Sequence, residues 1–224
     1  MSITVGIYDL FSYTIPGALY LFLILETWRL VTGTSFPLDI GNIGHLVVAG
    51  GLSFLLGIII SPVSRIIYYP LFLRKQTMEE KVLEEIKMRY AEVQIDFTAD
   101  QWPIIFAHIR REDLEIANNI DRSRAFNVML RNISLGLSLF IVTQIVTFIQ
   151  DGNIFPHSII VIASLIFLIT TISQGLRFHE LFYLNIFEYA ISTQLPLTKW
   201  VNLKNQGASA KVSKPSKNRA SKRE

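Results

Sequence analysis

Four apolar stretches constrain this chain more than anything else in it. Residues 13–30, 43–63, 133–149 and 158–176 are each long enough, or nearly so, to cross a hydrocarbon core, which takes about 20 residues of helix. Backbone groups in hydrocarbon must find partners within the protein, so such segments fold as helices. Only 17% of the residues are charged and mean hydropathy is +0.39, where a soluble domain carries about a quarter charged residues. The expected fold class is therefore all-α: a polytopic membrane protein with four transmembrane helices in two hairpins and a helical cytoplasmic insert between spans 2 and 3.

The first span does not read as a cleavable signal peptide. No Lys or Arg precedes it, and no small-x-small site leads into a soluble chain. Pro16 and Gly17 are expected in its first turn, where a missing N–H leaves no gap. Residues 8–13 read as an interfacial lead-in, with Asp9 or Ser12 as the helix cap.

Charge distribution sets the expected orientation. Residues 65–131 hold 11 of the 21 Lys and Arg, and residues 177–224 hold 9. The connections 31–42 and 150–157 hold none; the remaining Arg29 ends span 1, three residues after its expected partner Glu26. The positive-inside rule then puts both termini and the insert in the cytoplasm. The turns at Thr32-Gly33-Thr34 and Asp151-Gly152-Asn153 would face outside.

The chain divides into an N-terminal transmembrane hairpin (1–64), a cytoplasmic helical hairpin or stalk (65–131), a C-terminal transmembrane hairpin (132–176), an interfacial amphipathic helix (177–198) and a basic tail (199–224). In the insert, Met78, Val82, Leu83, Ile86 and Tyr90 form one apolar stripe. Thr98 and Gln101 match a capping box. From there one helix is expected to run unbroken from about 99 to 150, bending if anywhere at Asn118-Asn119, with the first insert helix folded back beside it. Phe178, Phe182, Tyr183, Ile186 and Tyr189 share a face, which suits a helix lying at the inner interface or covering the stalk base. The tail, with eight basic residues among Ser, Asn, Ala and Pro, is expected to be disordered and drawn to the anionic leaflet. Nucleic acid is the less favoured partner for it.

Polar and small residues inside spans carry information because they are costly there. Ala49, Ser53, Gly57 and Ser61 recur every four residues, a ladder that lets another helix approach closely, within the chain or between subunits. Asn132, Gly136, Thr143, Thr147 and Gln150 fall on one face of span 3 about 60° wide, with Gln144 about another 60° away. Such a stripe either glues helices together or lines a hydrated path in an oligomer. Small-residue faces make a homo-oligomer the expectation, with a tetramer as the guess. Arg124 and Arg131, seven residues apart on one helix face, suit contacts to lipid phosphates.

No catalytic, cofactor-binding or metal-binding residues are assigned. The chain has no cysteine. His45, His108, His157 and His179 are expected on different sides of the membrane, and none has a ligand spacing such as HExxH. Glu79-Glu80 and Glu84-Glu85 read as the solvated face of a helix. No mid-span Asp, Glu, Lys or Arg suggests proton coupling or voltage sensing. The chain is not expected to be an enzyme.

Residues 8–17 (YDLFSYTIPG), the segment Arg124 to Asn132 leading into span 3, and the layout of two hairpins about a charged insert resemble small four-span inner-membrane proteins of bacterial antiphage defence systems. The nearest in layout is the membrane subunit of the Kiwa system. The multi-span effectors of cyclic-nucleotide and retron systems come next. The resemblance implies a membrane-seated sensor or scaffold signalling through its cytoplasmic helices to a soluble partner protein. The alternatives are an oligomeric pore that depolarises the membrane and a passive anchor.

Overall fold

The computed structural model describes residues 7–34, 42–72, 77–93, 95–151 and 154–193. The basic tail and the side chain of Gln150 lie outside the described residues. The described residues form six α-helices: α1 (Ile7–Thr32), α2 (Ile43–Phe72), α3 (Met78–Arg89), α4 (Trp102–Glu112), α5 (Leu114–Asp151) and α6 (Ile154–Ser192). A 3-10 turn, Ala99–Gln101, leads into α4. Four helices, α1, α2, α5 and α6, are long and apolar enough to cross a membrane, and no strand occurs among the described residues. This is an all-α polytopic membrane protein.

The spans pair as two hairpins, α1 with α2 and α5 with α6, and α1 and α2 both pack on α5. At the loop end, Gly33 closes α1 at φ +68°, donating its N–H to the Arg29 carbonyl at 2.9 Å, a left-handed cap that glycine adopts without a Cβ penalty. Arg29 and Glu26 pair at 2.7 Å.

Helix α1 begins earlier than its apolar run suggests. Ile7 opens it, so Asp9 and Ser12 lie inside the helix and neither caps it. Pro16 lies in the helix interior, not in the first turn. It is fully buried there. The early start is held by tertiary contact: the Arg122 guanidinium of α5 lies over the Tyr8 ring, 5.7 Å from its centroid.

At the opposite end, α3, α4, the start of α5 and the end of α6 form a helical head. The α3 stripe buries Val82, Leu83 and Ile86, while Tyr90 is its exposed C-cap. The helix expected to run unbroken from 99 to 150 is instead interrupted at Asp113, and α5 is helical through Asn118-Asn119. Asp113 is extended (φ −139°, ψ 94°). Its N–H closes α4 on the Ile109 carbonyl at 2.7 Å, and its Oδ1 accepts the Ile116 N–H at 3.0 Å. One residue thus ends one helix and caps the next. Gln101 Oε1 accepts the Thr98 N–H at 3.3 Å, half of the reciprocal bonding of a capping box.

Residues 177–192 are not a separate interfacial helix. They continue α6 without a break and form the post of the head. Phe182, Tyr183, Ile186, Phe187 and Ala190 are buried in one cluster with Val82, Ile86, Ile105, Ile109 and Ile120. The reason is a match of apolar faces: the aromatic face of α6 is covered by α3 and α4, with Phe187 stacked on Phe97 at 5.6 Å and Trp102 edge-on to Phe182 at 5.5 Å. Consequently α3 packs chiefly on α6 and not beside α5. Lys81–Glu180 at 3.4 Å and Arg89–Glu188 at 3.1 Å fringe this contact.

Candidate functional site at the junction of spans and head

The small-residue ladder of α2 faces α1 of the same chain. Ser53 and Gly57 are buried, while Ala49 and Ser61 are half-buried. A Cβ on Gly57 would sit 2.0 Å from the Tyr13 carbonyl oxygen, and one on Gly17 would sit 1.6 Å from the Ser53 oxygen. The two backbones therefore touch at this crossing. Gly17 is the residue that sequence reasoning missed here. Its four-residue interval to Tyr13 on α1 answers the Ser53–Gly57 interval on α2 and was a usable signal.

The polar stripe of α5 is not one lining. Asn132 is fully buried against α1 and α2: its backbone oxygen accepts from Tyr20 Oη at 2.8 Å and its Oδ1 accepts from Ser64 Oγ. Gly136 is closed over by Leu19 of α1. Thr143 and Thr147 each bond to a carbonyl of their own helix, at 3.0 Å. Gln144 pairs with His157 across the α5–α6 hairpin at 3.2 Å. Further polar links come from residues outside the stripe. Asn127 Nδ2 donates to the Gly175 carbonyl at 2.7 Å, Ser134 Oγ to Thr171 Oγ1 at 3.0 Å, and Tyr68 Oη lies 3.1 Å from Ser138 Oγ. Serines in apolar runs give little periodic signal, because a helix-interior serine hydroxyl can bond back to its own turn.

Where the head meets the spans, residues of all six helices line an open cavity of about 700 Å³. Its span-side wall includes Tyr13 of α1 and Ile58 and Pro62 of α2. Its head-side wall includes the α3 N-terminus from Thr77 to Glu79, Trp102 of α4, and His179 and Tyr183 of α6. Arg65, Arg124 and Arg131 converge on it. Arg65 and Arg124 are exposed and Arg131 is half-buried. Arg131 Nε donates to Ser64 Oγ at 3.2 Å. Among the described residues none of the three arginines forms an ion pair, although Arg29, Lys81, Arg89 and Arg110 do. Among the described residues, Glu79 supplies the one carboxylate in the lining. Three guanidiniums against one carboxylate, beside the positive end of a 12-residue helix, make a place that favours an anion. Arg124 and Arg131 were legible as a pair from their spacing; Arg65 joins them only through the fold.

Among the described residues no three His, Asp or Glu side chains gather closely enough to hold a metal. Comparison of the chain with protein-family models, with curated proteins and with solved structures finds no match.

Proposed function

We propose that this protein is an inner-membrane component of a bacterial antiphage defence system, a sensor and scaffold that passes changes in its spans to a soluble partner through its head. One observation carries the reading. Helices α5 and α6 run without interruption from the span region into the head, and their ends share the head's core with α3 and α4. A tilt or shift of the α5–α6 hairpin must move the head, since packed interfaces rearrange between discrete states and do not deform continuously. The distribution of Lys and Arg supports a cytoplasmic head and cytoplasmic termini. The defence context rests on the resemblance of residues 8–17 and Arg124 to Asn132. Self-association of the lipid-facing helices is part of the same proposal.

The pore reading has less support. Asn132 and Gly136 are covered by α1 and α2 of their own chain, so they do not line a path between subunits.

The test is site-specific photo-crosslinking in cells that carry the gene with its native neighbours. A crosslinker at Glu84 or Arg111, both exposed on the head, should capture one soluble protein encoded nearby. A crosslinker at Thr34, at the loop end, should not. Phage protection should fall when the head is disrupted by Phe187→Ala. Equal capture from both ends, or full protection with a disrupted head, overturns the proposal.

A further inference from the structure

We propose that the junction cavity binds the phosphate of an anionic phospholipid. The chemistry is that of phosphate recognition. Arg65, Arg124 and Arg131 converge from α2 and α5 without a carboxylate partner among the described residues, and guanidinium forks match phosphate oxygens in geometry and charge. Like charges held together lose stability unless an anion joins them, and Arg65 and Arg131 are near enough to repel one another. The volume, about 700 Å³, is far more than a bare ion needs and lies within the range of organic-ligand sites.

The walls favour a lipid as the source of that phosphate. Ile58 and Pro62 line the cavity and belong to an α2 surface that is otherwise lipid-facing. Ile58, Ile59, Val63 and Ile66 are all exposed large hydrophobics on that helix. A headgroup held by the arginines would thus have its acyl chains continue along α2 into the bilayer. On the other side, Thr77, Trp102 and Tyr183 belong to the head. A bound headgroup touches both halves of the molecule. This deepens the proposed sensor role, and rests on it only for the consequence of binding; occupancy is measured without any partner.

The experiment uses the full chain in nanodiscs with Trp28→Phe and Trp200→Phe, leaving Trp102 in the cavity wall as the only fluorophore of its type. Phosphatidylglycerol is titrated into phosphatidylcholine discs, and inorganic phosphate is titrated separately into pure phosphatidylcholine discs. Trp102 fluorescence should saturate with phosphatidylglycerol. Arg65→Gln or Arg124→Gln should each move the midpoint by about tenfold, the loss of one charge-assisted hydrogen bond. Arg124→Lys should move it less. Lys87→Gln, at the far end of α3 and about 12 Å along the helix from Glu79 at 1.5 Å per residue, should not move it. Arg65 and Arg124 are exposed, so at least one of their variants will fold. Saturation by inorganic phosphate with no added effect of phosphatidylglycerol overturns the lipid assignment in favour of a soluble phosphate. No Trp102 response to either probe, or a midpoint moved equally by Lys87→Gln, overturns the site. A lost site with head-specific capture intact leaves the sensor proposal standing; the reverse result leaves the site standing.

Discussion

Gly57→Ala adds one methyl group at the α1–α2 crossing, and its cost can be worked from the geometry. The new Cβ would lie 2.0 Å from the Tyr13 carbonyl oxygen and 2.7 Å from the Tyr13 carbonyl carbon. Contacts under 3.0 Å essentially never occur, so the helices must part by about 1 Å. The obstacle is helix backbone, which cannot rotate away as a side chain can. A gap of 0.5 to 1 Å already forfeits roughly a quarter to a half of each dispersion contact along the crossing. Overpacking of this kind costs about 1–3 kcal/mol, and a backbone obstacle places Gly57→Ala at the upper end of that range. Gly51→Ala is the control: it lies on the same helix with nothing within 4 Å. It should be neutral or gain up to about 1 kcal/mol of helix propensity. Gly17→Ala, whose Cβ would meet Ser53 oxygen at 1.6 Å, should cost at least as much as Gly57→Ala. The double variant should cost less than the sum, because helices parted for one methyl group have room for the other. Reversible unfolding in mixed micelles measures all four. If Gly57→Ala and Gly51→Ala have the same stability, the backbone contact is refuted.

Three other substitutions probe the remaining links. Phe187→Ala removes a fully buried ring from the head core and should cost about 3–5 kcal/mol; limited proteolysis should then cut α3 and α4 while the spans stay protected. Asp113→Ala removes the cap at the α4–α5 junction and should cost about 1 kcal/mol, read as faster hydrogen exchange at Ile116 and its neighbours. Tyr20→Phe deletes the bond to the Asn132 carbonyl. It should cost only about 0.6 kcal/mol, as interhelical hydrogen bonds in membrane bundles do, and a loss of several kcal/mol in micelle unfolding would contradict that.

The four spans were legible because crossing a bilayer is decided by local composition: length and hydropathy suffice, and no neighbour is needed. The α3 stripe of Val82, Leu83 and Ile86 was legible for a similar reason, since helical periodicity displays the buried face directly. Asp113 was missed although its residue type favours a cap. A cap is a choice between two adjacent backbone conformations, and a single Asp in a helix-forming run leaves that choice open.

What covers each face was decided only by the tertiary structure. The aromatic face at Phe182, Tyr183, Ile186 and Phe187 suits a membrane interface as well as a protein core, because both bury apolar area and neither is directional. The contact with α3 and α4 turned it into the post of the head. Gly17 and Gly57 permit a close crossing, but only the approach of two helices far apart in sequence makes a backbone contact of it. Arg65 stands 59 positions before Arg124, and no local pattern links them. Their meeting at one cavity follows from the packing of α2 on α5, a long-range contact whose partners a one-dimensional pattern does not specify.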